Sequence, residues 1–158
     1  MKHMRYSAIL LTFLTTAVIA QPPTALAPVK WTTNVATASN GELQLNATAT
    51  MQDGWHVYAL TLPRNDGPLP TVFTFEPSGS YALLNGVIEE KPVEVEDPNF
   101  AMLVRYHGHK PVFTQRVKRA SAAAFQVKGT VEYMACNDRM CLPPTTVPLV
   151  FKVEALAK

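Results

Sequence analysis

Apolar residues in this chain recur every second position, and no segment past residue 20 shows a convincing helical period. Leu43, Leu45, Ala47, Ala49 and Met51 alternate with polar residues between Glu42 and Gln52. A period of two puts one row of side chains on one face of a strand, so this stretch must bury one face against a partner layer. Asp53-Gly54 then turns the chain. In the next strand Trp55, Val57 and Ala59 are expected on one side, and His56, Tyr58 and Leu60 on the other. Asn65-Asp66-Gly67-Pro68 marks a loop, Val72 to Phe75 a short strand, and Pro77-Ser78-Gly79-Ser80 its end. Tyr81 to Leu84 is expected to run into a turn at Asn85-Gly86. The acidic stretch Glu89 to Asn99, with Pro92 and Pro98, reads as an exposed loop.

Ala101 to Tyr106 and Val112 to Lys118 read as strands joined by a tight turn, His107-Gly108-His109-Lys110. Arg119 to Ala124 reads as a linker or a single helical turn. Phe125, Val127, Val131, Tyr133 and Ala135 share a face of a long strand, with a register change expected near Gly129. Val147, Leu149, Phe151 and Val153 form the last strand, which Pro148 confines to an edge or a bulge. Eight or nine short strands with regular turns predict an all-β fold, an antiparallel two-sheet sandwich of immunoglobulin-like class. With 158 residues, 47% of them hydrophobic, the chain can fill the core of one such domain.

The first twenty residues follow a different pattern. Lys2, His3 and Arg5 precede an apolar run from Tyr6 to Ala20 that ends in Val18-Ile19-Ala20. A basic start, a short apolar stretch and a small-residue exit describe a secretory signal peptide. The run is shorter than the ~20 residues a membrane-spanning helix needs. The expected organisation is a signal peptide over 1–20, a disordered segment over 21–28 and a β-sandwich domain over 29–158, with no membrane insertion of the mature chain. Without Lys2 and Arg5 the 14 basic residues become 12, equal to the 12 acidic ones. A neutral chain lacks the basic stripe that nucleic-acid phosphates or an anionic membrane surface would require. Export, here to the periplasm, also puts any thiol pair in an oxidising compartment.

The chain has 2 cysteines, in Cys136-Asn137-Asp138-Arg139-Met140-Cys141, followed by Leu142-Pro143-Pro144. A bridge between them requires the intervening four residues to turn back, which Asn and Asp favour. Three readings of the pair stay open on the residues alone. As a structural staple it is weak, since a loop of about six residues contributes only about 2 kcal/mol in the chain-entropy model. As a redox pair it is well placed, because opening it leaves the core untouched. There Arg139 would favour a thiolate and Asp138 would oppose it. As a metal site, Cys136, Cys141, Met134, Met140, His107 and His109 form a soft set suited to Cu(I). No nucleophile elbow or zinc motif supports a hydrolase.

Val131-Glu132-Tyr133-Met134-Ala135-Cys136 with Cys141-Leu142-Pro143-Pro144, and Asp53-Gly54-Trp55-His56-Val57-Tyr58 before them, resemble a known family. It is the N-terminal periplasmic domain of the thiol:disulfide interchange protein DsbD, whose solitary relatives are called disulfide bond corrector domains. Gly67-Pro68 to Phe75, Gly86 with Glu89, and Phe113-Thr114-Gln115 fall in the family's order, so the resemblance spans about Val29 to Val153. It implies an immunoglobulin-like fold, no cofactor, and a reversible disulfide that relays electrons to or from thioredoxin-like proteins or a membrane thiol-electron conduit. By the same resemblance Cys141 is the sulfur attacked and Cys136 the resolving partner. A cap loop over about Glu94 to Phe100 would shield the bridge with Phe100, and His56 and Tyr58 occupy the positions of aromatic residues near the sulfurs. His56 departs from the family there. The competing function is an exported binding module with a structural disulfide.

Overall fold

The computed structural model describes residues 26–156. The expected signal peptide and residues 21–25 lie outside them. Eleven strands occur among the described residues: β1 (Val29–Thr37), β2 (Leu43–Met51), β3 (His56–Tyr58), β4 (Val72–Phe75), β5 (Tyr81–Glu89), β6 (Val93–Asp97), β7 (Met102–Gly108), β8 (Val112–Arg119), β9 (Phe125–Tyr133), β10 (Ala135–Cys136) and β11 (Thr145–Val153). Every pairing is antiparallel. The architecture is the all-β immunoglobulin-like sandwich that the alternation predicts. Hydrogen bonding divides it into three sheets rather than two, with orders β1-β2-β8-β5, β10-β3-β7-β6 and β11-β9-β4.

The first and third sheets face one another across the main core. β2 contributes Leu43, Leu45, Ala47 and Ala49, and β8 contributes Phe113 and Val117. Opposite them lie Val127, Val131, Leu149, Phe151 and Val153 from β9 and β11. Trp31 on β1 closes one end, with its ring 5.8 Å from Phe73 and 5.5 Å from Tyr133. Pro28 is buried and its carbonyl accepts from the Gln52 amide, so packing reaches back to that residue. The second sheet has its own small apolar cluster, Tyr58, Val104 and Cys136, separate from the main one.

Several local expectations are corrected. Asn85-Gly86 does not end its strand. β5 runs on to Glu89, the register against β8 shifts between Leu84 and Ile88, and Asn85 takes φ 58°. The dipeptide is absorbed as a bulge because β8 continues to offer partners on both sides of it. The acidic stretch is not a loop. Val93–Asp97 forms edge strand β6, paired with β7 from Val93↔Tyr106 to Asp97↔Met102. His107 and Gly108 belong to β7, and the left-handed residue of the following turn is His109, at φ 63°. No register change occurs at Gly129, where β9 pairs without a break with both β11 and β4. Glycine is needed there because a Cβ would lie 2.4 Å from the Thr74 carbonyl oxygen. Finally, His56, Val57 and Tyr58 are all buried, because β3 is covered on both faces. Pro148 does lie in an edge strand, β11.

Candidate functional site

β9 leaves the main core at Tyr133, and the chain continues through Met134 into β10, which pairs with β3 as Ala135↔Val57 and Cys136↔His56. A short hairpin follows. Asn137 N donates to the Met140 carbonyl at 2.9 Å, and Leu142 N to the Ala135 carbonyl at 2.9 Å. The Asn137 side chain completes the turn, since its Oδ1 accepts from the amides of Arg139 and Met140, each at 2.9 Å. This is the asparagine-led turn that returns a chain within four residues. It brings the Cα atoms of Cys136 and Cys141 to 4.1 Å, and the two sulfurs form a disulfide. Cys136 is fully buried, whereas Cys141 is only partly so.

The candidate auxiliary residues separate into two groups. Tyr58, His56 and Phe100 converge on the bridge. The Tyr58 hydroxyl lies 4.0 Å from Cys141 Sγ and donates to Asp97 Oδ2 at 2.6 Å. Burial first, then Asp97, pushes the Tyr58 hydroxyl far above its ordinary pKa, so it stays protonated. His56 stacks on Tyr106 at 4.3 Å and meets Tyr58 edge-on at 5.3 Å. Burial lowers the His56 pKa against the opposing pull of Asp97 and Asp138, which keeps the ring neutral near pH 7. Phe100 meets Tyr58 edge-on at 6.2 Å, and it packs, as do Met102, Met134 and Cys141, against the small cluster of Tyr58, Val104 and Cys136. Arg139 stands apart. It is exposed at the tip of the turn, and its guanidinium has no hydrogen bond or ion pair among the described residues.

Sequence reasoning missed Asp97, which it placed in an exposed loop. This residue is 3% exposed and organises the β6–β7 turn. Its Oδ1 accepts from Asn99 N at 2.8 Å and Phe100 N at 3.4 Å, and its carbonyl accepts from Ala101 N at 2.8 Å. Asn99 Nδ2 in turn donates to the Asn137 carbonyl at 2.9 Å, tying this turn to the cysteine hairpin. Asp97-Pro98-Asn99 carried the available signal, because an aspartate commonly caps the amide two residues on. The copper set is not assembled. The sulfurs are bonded to each other, and His107 Nε2 is 2.9 Å from Glu89 Oε2. Among the described residues no group of three or more His, Cys, Asp and Glu is placed to hold a metal ion. A cleft of about 220 Å³ opens beside the hairpin, lined by Trp55, His56, Tyr106, His109 and Asp138 among others.

An arrangement of this kind can open and close one bond at a surface turn while the main core stays packed. Comparison with known proteins agrees. The family model for the thiol:disulfide interchange protein DsbD, N-terminal, matches residues 23–151. The solved Neisseria meningitidis DsbD N-terminal domain in its reduced form is 17% identical, with a TM-score of 0.52 over 79% of this chain and 86% of that one. The N-terminal periplasmic domain of ScsB from Proteus mirabilis is 15% identical, with a TM-score of 0.53 over 84% of this chain and 48% of that one. The DsbD N-terminal domain in a complex with the PilB N-terminal domain, also from Neisseria meningitidis, is 17% identical, with a TM-score of 0.50 over 76% and 80%. At these identities the solved structures establish the shared fold. No individually curated protein matches. The family-model match covers most of the chain, and the protein belongs to the DsbD N-terminal domain family of thiol:disulfide interchange proteins.

Proposed function

We propose that this protein is a periplasmic thiol-disulfide exchange protein. It relays electrons through Cys136 and Cys141 to or from thioredoxin-like partners or a membrane thiol-electron conduit. The observation that carries the reading is the separation of the bridge from the main core. Cys136 belongs to a three-residue cluster of its own, and the loop it closes is a hairpin turn. Periplasmic location rests on the pattern of residues 1–20 and on the ScsB relative, itself a periplasmic domain. The DsbD–PilB complex supports a protein partner.

In the proposed reaction a partner thiolate attacks Cys141 Sγ, the less buried sulfur. The Cys136–Cys141 bond breaks, a mixed disulfide forms, and Cys136 leaves as a thiolate that takes up a proton. The partner's second thiolate then attacks its own bridged sulfur and releases Cys141, which is protonated in turn. Two electrons and two protons pass to this chain, and the partner is left oxidised. Phe100 serves as the cover over the sulfurs, held by Asp97, and Arg139 offers its charge to the leaving thiolate only if the turn moves. The test is a reduced Cys136→Ser variant mixed with a thioredoxin-like protein that lacks its second cysteine and whose remaining cysteine is held as a mixed disulfide with thionitrobenzoate, the group that leaves on exchange. A stable mixed disulfide through Cys141 on non-reducing gels is expected. Its absence, together with a potential below about −300 mV, would leave a structural bridge.

A further inference from the structure

The bridge has a hydrogen-bonding problem that appears only when it opens. Tyr58 has one hydroxyl proton. In the disulfide form that proton is committed to Asp97 Oδ2 at 2.6 Å, while Cys141 Sγ lies 4.0 Å from the Tyr58 hydroxyl oxygen. Once Cys141 becomes a thiolate, it is the nearest new anion to the Tyr58 hydroxyl. A donor cannot serve both. If Tyr58 turns to the sulfur, Asp97 Oδ2 loses its partner inside a nearly closed site, and an unsatisfied buried carboxylate oxygen is costly.

Among the described residues His56 is the group placed to meet that need. Its Nε2 is buried without any hydrogen-bond partner and lies 3.8 Å from Asp97 Oδ2. The ring is 8% exposed and fixed between Tyr106 and Tyr58. An idle buried nitrogen beside a carboxylate is unusual, since buried polar groups are normally paired. The geometry points to His56 as a positioning residue for exchange. When the bridge is open and Cys141 ionises, Tyr58 shifts its hydrogen bond from Asp97 to the Cys141 thiolate, and His56 Nε2–H replaces it on Asp97. No atom is transferred in the swap, and it reverses when the bridge closes. The titratable groups that face the ring are Asp97 from β6, Tyr106 from β7, Tyr58 from its own strand and Asp138 from the hairpin, with Asp53 and His109 across the cleft. All but Asp97 leave Nε2 unpartnered, so the swap depends on that pair alone.

The inference rests on Cys141 being the working sulfur, and its test needs no partner protein. In a Cys136→Ser background Cys141 is the only thiol, and its alkylation rate against pH reports the thiolate. His56→Phe keeps the stacking on Tyr106 and removes the N–H. It should slow alkylation at neutral pH about tenfold, as raising the thiol pKa by about one unit would. Tyr58→Phe should slow it at least as much, and the double variant no more than Tyr58→Phe alone, because His56 acts through Tyr58. An unchanged profile in His56→Phe, or effects that multiply in the double variant, would overturn the swap. Ring ¹⁵N shifts of the unmutated chain give an answer independent of variant folding: in the reduced chain Nε2 should become hydrogen-bonded as pH is raised through the ionisation of Cys141, and shifts identical to those of the disulfide form over that range would refute it. A normal thiolate shift without mixed-disulfide formation would sink the exchange function while leaving the swap standing.

Discussion

Reducing the bridge should leave the domain folded, and the expected cost can be worked out. The loop closed by Cys136 and Cys141 spans six residues. In the chain-entropy model its closure contributes about 2 kcal/mol. The freed Cys136 thiol is fully buried among Tyr58 and Val104, where a neutral thiol packs as a small apolar group and adds no charge penalty. An unfolding entropy of about 2.1 cal/mol/K per residue, over about 130 described residues, is near 275 cal/mol/K. Dividing one by the other predicts that Tm falls by about 7 °C on reduction. A core truncation sets the contrast: Phe151→Ala, at 1% exposure between the facing sheets, should cost about 3–5 kcal/mol and more than 10 °C. The assay is urea unfolding of the oxidised and reduced protein, followed by near-ultraviolet circular dichroism. Equal slopes with a modest shift in midpoint are expected. A loss above about 4 kcal/mol, or a reduced protein without native near-ultraviolet signal, would show that the bridge holds the fold together and that the separation of the two clusters was misread.

Three further outcomes are expected. Phe100→Ala should speed reduction of the bridge by glutathione several-fold, because the half-buried ring packs on the cluster of Tyr58, Val104 and Cys136, and an unchanged rate would remove Phe100 as the cover. Gly129→Ala should cost about 1–3 kcal/mol in urea unfolding, because the new methyl meets the Thr74 backbone oxygen, which no rotamer change can clear; a variant as stable as the parent would mean that β4 shifts freely. Burial lowers the folded-state pKa of His56, so its contribution to stability is full above the unfolded value near 6.5 and is lost as pH falls through the lower folded value. His56→Phe should therefore lose less stability than the parent as pH drops below about 6.5, and parallel stability-pH curves would count against a buried neutral ring.

The strands that the sequence revealed are those with one face sealed and one face wet. β2 keeps a strict alternation because Leu43, Leu45, Ala47 and Ala49 all reach the core between the facing sheets. β6 has the same alternation, with Val93, Val95 and Asp97 on one side and Glu94 and Glu96 on the other, yet it reads as a loop. It is an edge strand with a single neighbour, and even its inward residues stay wet, with Val93 54% and Val95 37% exposed. Two prolines flank it and three of its five residues are acidic, as negative charge on an edge discourages pairing with another chain. Asn85-Gly86 misled for the opposite reason. The dipeptide favours turns, but a left-handed residue is equally at home in a bulge, and only the length of the neighbouring strand decides between them.

The site divides along the same line between local and distant chemistry. Cys136 and Cys141 were legible because the turn that joins them is written in the four residues between them. Asp97 was not, because it meets Tyr58 across 39 positions, and only the pairing of β3 with β7 and of β7 with β6 brings them together. That pairing has a mechanical consequence. The same aspartate receives the Tyr58 hydroxyl on one oxygen and the Asn99 and Phe100 amides on the other. A change in what Tyr58 bonds is thus felt in the turn that carries Phe100, and Asn99 passes it on to the Asn137 carbonyl of the cysteine hairpin. The turn that carries Phe100 and the cysteine hairpin are linked through hydrogen bonds of Asp97 and Asn99, while β2, β8, β9 and β11 pack against each other without involving any of these groups. The proposed exchange needs a bond whose opening reaches the neighbouring turn and not the core, and the second sheet is where this chain meets both conditions.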